Sequence, residues 1–138
     1  MLITRETDYA LRILRALSRG EKLTAERLHK EEVIPKPFAY KILKKLERAK
    51  FVEIIRGAEG GFRPAADFKT VNLLMLVKAM ETNRLVGSCV APDYECEWKK
   101  KQGVQCNVHD HLKHLQEKLD KEMKNLTIHQ LIFDPPLS

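Results

Sequence analysis

The pattern that most restricts the fold is a β-hairpin signature that directly follows a basic, amphipathic segment. Residues 51–56 have the composition of a short strand, and the glycine-rich stretch 57–61 predicts a turn before a second strand begins at Phe62. The patterns on both sides of this hairpin are helical. The sequence therefore predicts a mainly α chain with one small β-hairpin.

Two helices are predicted in the first third of the chain. Apolar residues recur at three- and four-residue spacing over residues 5–19, and Gly20 ends that pattern. Thr24 is a suitable N-cap for a short second helix over residues 25–31. The segment that follows, Val33-Ile34-Pro35, is predicted to be a turn with an apolar anchor.

A third helix is predicted from Pro37, which suits a first helical turn, to about Lys50. Its buried stripe is expected to contain Phe38, Ile42, Leu43, Leu46 and Ala49. Its remaining surface carries Tyr40, Lys41, Lys44, Lys45 and Arg48. Helix, short helix, turn, basic helix and hairpin together predict a winged helix-turn-helix, whose third helix enters a DNA major groove.

The positive charge of the chain is concentrated in this region. The formal net charge is +6, and residues 36–63 carry eight basic and three acidic side chains, a local excess of +5. Such a cluster favours a polyanion as partner. Tyr40 is the candidate for base contact and the lysines for phosphate contact, while Arg56 and Arg63 flank the tip of the wing. The alternative is a solvated, lysine-rich helix face.

Downstream, an apolar helix is predicted over residues 72–81 and a long helix over residues 107–132, with no helical periodicity between them. The long helix carries a nearly heptad apolar stripe: Leu112, Leu115, Leu119, Met123 and Leu126. This stripe predicts a homodimer seam, and its alternative is the core of a single chain. We expect three parts: a winged helix-turn-helix with its following helix (1–81), a cysteine-bearing sensor loop (82–106) and a dimerisation helix with a tail (107–138).

Three cysteines, Cys89, Cys96 and Cys106, lie in the polar stretch between these helices, and His109 follows three residues after the last. An odd number of cysteines in a chain without an export signal argues against a disulfide framework. Thiolates are preferred ligands of iron–sulfur clusters and of zinc. If Cys106 begins the long helix, its spacing to His109 puts both on one face. Structural zinc, redox-active thiols and cysteines without a ligand are the alternatives.

Other classes of function are disfavoured by the sequence. The longest apolar run, residues 73–77, is too short to span a bilayer, and charged residues among the first ten argue against a signal peptide. We therefore expect no membrane association and a cytoplasmic location. Because no phosphate-binding loop, serine-hydrolase elbow or zinc-protease motif occurs, we expect no enzyme. The alternative to a DNA-binding regulator is a protein-interaction module that docks on a metabolic enzyme.

Four segments, in this order, resemble the Rrf2 family of bacterial winged-helix regulators. They are Asp8-Tyr9-Ala10-Leu11-Arg12, Ile34-Pro35, Lys41-Ile42-Leu43-Lys44-Lys45-Leu46 and Arg56-Gly57-Ala58-Glu59-Gly60-Gly61-Phe62. The resemblance covers almost the whole chain. It implies a DNA-binding transcriptional regulator, expected to be a repressor, that binds a pseudo-palindromic operator as a homodimer.

The resemblance also implies a cofactor. Members similar to this chain carry an iron–sulfur cluster, [2Fe-2S] or [4Fe-4S], on three cysteines ahead of the dimerisation helix, and they report iron–sulfur, redox, iron or nitric oxide status. By this resemblance Cys89, Cys96 and Cys106 are ligands, and the fourth ligand is His109 or Asp8 of the partner subunit. The nine residues between Cys96 and Cys106 make a longer gap than the family usually has, which leaves the cluster type open.

Overall fold

The computed structural model describes residues 2–136, and over this range it is mainly α with one antiparallel hairpin. The elements are, in chain order, α1 (Arg5–Leu17), α2 (Ala25–Glu32), α3 (Lys36–Arg48), β1 (Val52–Ile55), β2 (Gly61–Pro64), α4 (Leu73–Met80), a 3-10 turn (Ser88–Val90), α5 (Glu97–Gln102), α6 (Asn107–Lys124) and α7 (Ile128–Phe133). The predicted winged helix-turn-helix is confirmed. In the same range, no helix has both the length and the apolar character needed to cross a membrane.

The first three helices share one hydrophobic core. Its fully buried members from α1 and α3 include Ile13, Leu14, Leu17, Ile42 and Leu46. Glu32, at the end of α2, is also buried, and its carboxylate accepts a hydrogen bond from Arg15 Nη2 at 2.6 Å. Arg12 Nη1 donates to the backbone carbonyl of Glu32 at 3.3 Å. These two arginines of α1 fix the end of α2 and thereby the turn that leads into α3.

The turn between α2 and α3 holds an unusual backbone conformation. Val33 has a φ of 56°, in the left-handed region, and its side chain is 74% exposed, so it is not the apolar anchor of the turn. Ile34 alone is the anchor, because it is fully buried and its carbonyl oxygen lies 2.7 Å from His29 Nδ1. A β-branched residue rarely adopts a left-handed conformation. The turn is therefore strained at Val33.

The buried face of α3 differs from the predicted stripe at both ends. Phe38 is 43% exposed and Ala49 is exposed, so both were wrongly assigned to the core. Ala39 takes the inner position instead, because it lies three residues before the buried Ile42 on the same helical face. Ala49 is the C-cap, where the chain already leaves the helix. Phe38 lies against the ring of Tyr9, with 6.0 Å between the ring centroids.

The wing is anchored to the body of the protein by backbone pairing. Leu23, in the loop between α1 and α2, exchanges two backbone hydrogen bonds with Phe62, of 2.9 and 2.7 Å. The side chain of Phe62 is buried beneath the hairpin. A Cβ atom on the neighbouring Gly61 would lie 2.7 Å from the carbonyl oxygen of Leu23, so this close approach requires glycine.

The single long helix predicted over residues 107–132 is wrong, because the chain forms α6 and α7 with a break between them. At the break, the backbone N–H of Leu73 donates to the carbonyl of Leu126 at 2.9 Å, and the N–H of Ile128 donates to the carbonyl of Val71 at 3.0 Å. We call these two hydrogen bonds the C-terminal bridge. A capping box then begins α7. The bridge joins the end of α6 to the start of α4.

The cysteine segment, residues 82–106, is not irregular throughout as the sequence predicted, because it contains the 3-10 turn and α5. Its first part is held on α6 by Gln116, whose side chain is 5% exposed. Gln116 Oε1 accepts from the backbone N–H of Val86 at 2.8 Å, and its Nε2 donates to Asp120 at 2.9 Å. Arg84 pairs with the same carboxylate at 3.3 Å. A polar network centred on the buried Gln116 thus fixes the start of the cysteine segment on α6.

Candidate nucleic-acid interface and cysteine segment

A groove of about 320 Å³ lies between α3 and the wing. Its lining includes four of the seven residues predicted to contact DNA, from two separate elements: Tyr40, Lys44, Arg48 and Arg56. The inward residues Leu43, Ile54 and Phe62 complete its apolar part. The fold therefore brings an exposed tyrosine and three cations of the predicted set to one concave surface.

The three cations of this groove are available to an external anion. Lys44, Arg48 and Arg56 are exposed, and within residues 2–136 none of them forms an ion pair, in contrast to the other basic residues of the predicted set. Glu47 also lines the groove, which leaves an excess of positive charge there. A surface of this kind can neutralise phosphates of a duplex.

Lys41 and Lys45 point towards α1 and do not line the groove. Both reach the carboxylate of Glu6 on α1, Lys41 at 2.6 Å to Oε1 and Lys45 at 2.6 Å to Oε2. The hydrogen bond from Lys41, followed by that from Lys45, holds the pKa of Glu6 below its usual value. Glu6 was not among the predicted residues, because its partners lie 35 and 39 positions later and no local pattern connects them.

Arg63 lies on the outer face of the wing. It is the cross-strand partner of Glu53, and its Nε donates to that carboxylate at 2.8 Å. This hydrogen bond holds the pKa of Glu53 below its usual value. Because side chains alternate along a strand, this pair points away from the face that carries Ile54 and Phe62. Arg63 therefore does not share the groove with Arg56.

The three cysteines lie on three consecutive elements. Cys89 is in the 3-10 turn, Cys96 is the N-cap of α5 and Cys106 is the N-cap of α6. All three are half-buried free thiols. The Sγ atom of Cys106 accepts a hydrogen bond from the backbone N–H of His109 at 3.4 Å. Cys106 thus begins the helix as the sequence analysis supposed, and the contact between the two residues is through the His109 backbone.

The donor types in this segment suit an iron–sulfur cluster, but within the described residues they do not converge on a single metal ion. Within residues 2–136, no three side chains among histidine, cysteine, aspartate and glutamate converge closely enough to hold a metal ion. Asp8 is on α1, where it forms an ion pair with Arg12 at 3.1 Å. The chain therefore supplies cysteine sulfurs of the right chemistry. They would have to approach one another to bind one common metal ion.

The apolar stripe of α6 is buried within the protomer at some positions and exposed to solvent at others. Met123 is only 5% exposed and packs within its own chain. Leu112, Leu119 and Leu126 are half-buried, whereas Leu115 is exposed. The exposed Val108, one heptad before Leu115, lies on the same face and was not in the predicted stripe, although its spacing could have indicated it.

Three comparisons with known proteins agree with this architecture. The family model of Rrf2, described as an iron-dependent transcriptional regulator, matches residues 3–134. Protein aau3 of Rhizobium meliloti (strain 1021) is 32% identical over 99 residues, and the match spans 70% of this chain but only 64% of that protein.

Solved structures share the fold at low identity. CymR (YrzC), the global cysteine regulator of B. subtilis, has a TM-score of 0.75 at 14% identity, over 97% of this chain and 98% of that chain. T. potens IscR has a TM-score of 0.65 at 14% identity, over 96% of this chain and 86% of that chain.

Proposed function

The chain belongs to the Rrf2 family of transcriptional regulators, and we propose that it is a cytoplasmic repressor that binds a double-stranded DNA operator as a homodimer. The observation that carries the DNA-binding part is the groove between α3 and the wing. There, an exposed tyrosine and three unpaired cations from two elements meet on one surface. This arrangement suits a duplex, in which base edges form the floor of a groove and phosphates line its two sides.

Each side chain of the groove has a distinct role in this proposal. Tyr40 lies in the N-terminal half of α3, the part of a recognition helix that contacts base edges. Lys44 and Arg48 follow at four-residue spacing on the same face and bind phosphates. Arg56 directly follows β1 and reaches the adjacent minor groove. Arg63 would have to leave Glu53 before it could do the same.

We propose that two copies associate through α6. The exposed Val108 and Leu115 form a line that nothing in the described part of the chain covers, and the half-buried Leu112, Leu119 and Leu126 flank it. Association of two helices along such a line removes apolar surface from water. A twofold dimer would present two recognition helices to half-sites about 34–36 Å apart.

Duplex binding by wild type and by single variants tests the DNA-binding surface. Fluorescence anisotropy of a labelled duplex, measured over a range of salt concentrations, gives both the affinity and the slope of log K against log salt. Lys44→Gln should weaken binding and reduce the slope by about 0.9, the contribution of one phosphate. Lys69→Gln, which removes an exposed lysine outside the groove, should change neither. A wild type that binds no duplex would favour the protein-interaction module instead.

We further propose that the cysteine segment receives the signal through an iron–sulfur cluster, [2Fe-2S] or [4Fe-4S]. Cys89, Cys96 and Cys106 would be its ligands, with His109 or Asp8 of the partner subunit as the fourth. The iron dependence in the description of the family supports this, as do three half-buried thiols on consecutive elements. A bound cluster supplies a charge and a ligand set that respond to redox state, iron or nitric oxide.

The chain's own contribution is the placement of the thiols between α4 and α6. Because no three such side chains form a metal-ion site within residues 2–136, we propose that ligand binding draws the three cysteines together. That movement would be transmitted to α6, on which the segment rests. Structural zinc and free redox-active thiols are the alternative occupants of the same segment.

Protein purified without oxygen tests this part. An absorption spectrum, with iron, sulfide and zinc assayed on the same sample, should show iron and sulfide in wild type and their loss in Cys96→Ser. Colourless wild type that resists cluster reconstitution would contradict the cluster. Zinc in that sample would indicate a structural site, and no metal would indicate thiol chemistry.

A further inference from the structure

Glu6 divides its carboxylate between two lysines of the recognition helix. Oε1 is 2.6 Å from Lys41 Nζ, and Oε2 is 2.6 Å from Lys45 Nζ. Glu6 belongs to α1 and both lysines belong to α3, so these ion pairs bridge two helices of the winged domain. A residue outside α3 thus occupies two of the cations that the sequence analysis assigned to DNA.

The two lysines are not equivalent. Lys45 is 30% exposed and also donates to the backbone carbonyl of Met80 at 3.3 Å, so it has acceptors from both α1 and α4. Lys41 is 57% exposed, and within residues 2–136 Glu6 is its one acceptor. It also lies next to Tyr40 in the chain. Lys45 therefore links α3 to both α1 and α4. Lys41 has, in the described part of the chain, only the contact with Glu6 to break before it can bind another partner.

The release of Lys41 would leave no unpaired charge on Glu6. Glu6 would keep Lys45 as its partner, and Lys45 would keep its second acceptor. An exposed ion pair of this kind is weak, because water and salt compete for both partners. A DNA phosphate placed near α3 offers Lys41 an equivalent partner with a stronger surrounding field.

We propose that Glu6 is an intramolecular competitor of DNA phosphate for Lys41 and thereby lowers the affinity of α3 for any duplex. This rests on the proposed function, in which α3 faces DNA. Because phosphates carry no sequence information, the competition acts equally on all sequences. Its effect is to weaken the binding of the protein to DNA of any sequence.

The expected magnitude follows from the strength of an exposed ion pair. Measured values for such pairs correspond to a factor of roughly 1.4 to 5 in an equilibrium constant. Glu6→Gln should therefore bind a duplex of random sequence about 1.4- to 5-fold more tightly than wild type. No operator sequence is needed for this measurement.

A double-mutant cycle separates this competition from a general effect of charge. Anisotropy with one random duplex at one salt concentration is measured for wild type, Glu6→Gln, Lys41→Gln and the double variant. Glu6→Gln should tighten binding by a larger factor in the wild-type background than when Lys41 is already glutamine, because only the first change releases Lys41. Equal tightening in both backgrounds, or no tightening in either, would overturn the proposal.

Two further measurements keep the outcome unambiguous. If Glu6→Gln does not fold, Glu6→Asp replaces it, because the shorter carboxylate cannot span both lysines, and it should tighten binding in the same direction. Lys44→Gln in the same assay reports on the proposed function. If Lys44→Gln weakens binding but the cycle shows no coupling, the competition is overturned and DNA binding through the groove stands. If wild type binds no duplex, both are overturned.

Discussion

Replacement of Gln116 by leucine should loosen the cysteine segment from α6. The side chain of Gln116 is 5% exposed and makes two hydrogen bonds, with the Val86 N–H at 2.8 Å and with Asp120 at 2.9 Å. Leucine has a similar volume but can neither accept nor donate a hydrogen bond. The change therefore removes the polar link between Val86 and α6, keeps the Arg84–Asp120 pair and leaves the packing volume nearly unchanged.

The magnitude follows from the burial of these groups. The Val86 N–H left without a partner costs about 1–3 kcal/mol, the hydrogen bond lost by Asp120 costs about 1 kcal/mol, and the added apolar burial of leucine offsets about 1 kcal/mol. Val86 is not fully buried, so water can meet part of the loss. We expect a net destabilisation of about 1–2 kcal/mol. At about 4 °C per kcal/mol for a chain of this length, the melting temperature should fall by about 4–8 °C.

Amide hydrogen exchange distinguishes a local from a global effect. The protection of the Val86 amide should fall by about 5- to 30-fold, the equivalent of 1–2 kcal/mol, while amides of α1 and α3 change less. Gln102→Leu, an exposed position at the end of α5, is the matched control and should leave both readings unchanged. Unchanged protection of the Val86 amide in Gln116→Leu would refute the reasoning.

Three further changes have expected results. Val33→Asn should raise the melting temperature by about 2–5 °C, because valine in the left-handed region costs about 1 kcal/mol that asparagine avoids. A lower melting temperature in calorimetry would contradict this. Leu115→Asp should yield a monomer in analytical ultracentrifugation, because it puts a charge on the exposed line of α6, and a stable dimer would exclude that seam. The pKa of Glu6 in the folded state lies below its usual value of 4.5, so its ionised form stabilises the fold above that pH, and this contribution is lost as the pH falls further. Glu6→Gln should therefore flatten the acid side of urea stability measured against pH, and an unchanged acid side would contradict this.

The winged helix-turn-helix could be predicted because each of its signals is local. Apolar spacing marks α1, a threonine N-cap starts α2, and glycines mark the tip of the wing. The cap is real, since Thr24 Oγ1 accepts from the Arg27 N–H at 3.2 Å. The exposure of Phe38 was not predictable in the same way, because periodicity cannot decide which of two adjacent residues, Phe38 or Ala39, faces the core. That choice depends on the neighbour that α1 supplies.

The features missed by sequence reasoning depend on residues distant in the chain. Glu6 meets lysines 35 and 39 positions later. The break after α6 occurs because the Leu126 carbonyl accepts a backbone hydrogen bond from Leu73. Helical periodicity cannot indicate such a distant partner. The sequence supplied the ligand chemistry of the three cysteines, but their separation in the fold is set by the turns and by α5 between them.

The C-terminal bridge gives the protein a modular construction. The chain passes through the bridge at Leu73 and returns to the same place at Leu126, where backbone hydrogen bonds join the two ends. Within these ends, α4 belongs to the core of the winged domain through Leu76 and Met80, so the segment after α4, residues 82–125, is a closed cassette, and the backbone hydrogen bonds of the bridge do not depend on which side chains it carries. Because closure entropy grows slowly with length, a long gap between Cys96 and Cys106 is accommodated inside it at little cost. A segment with a different ligand chemistry or length can be exchanged within these ends while α3 and the wing keep their geometry.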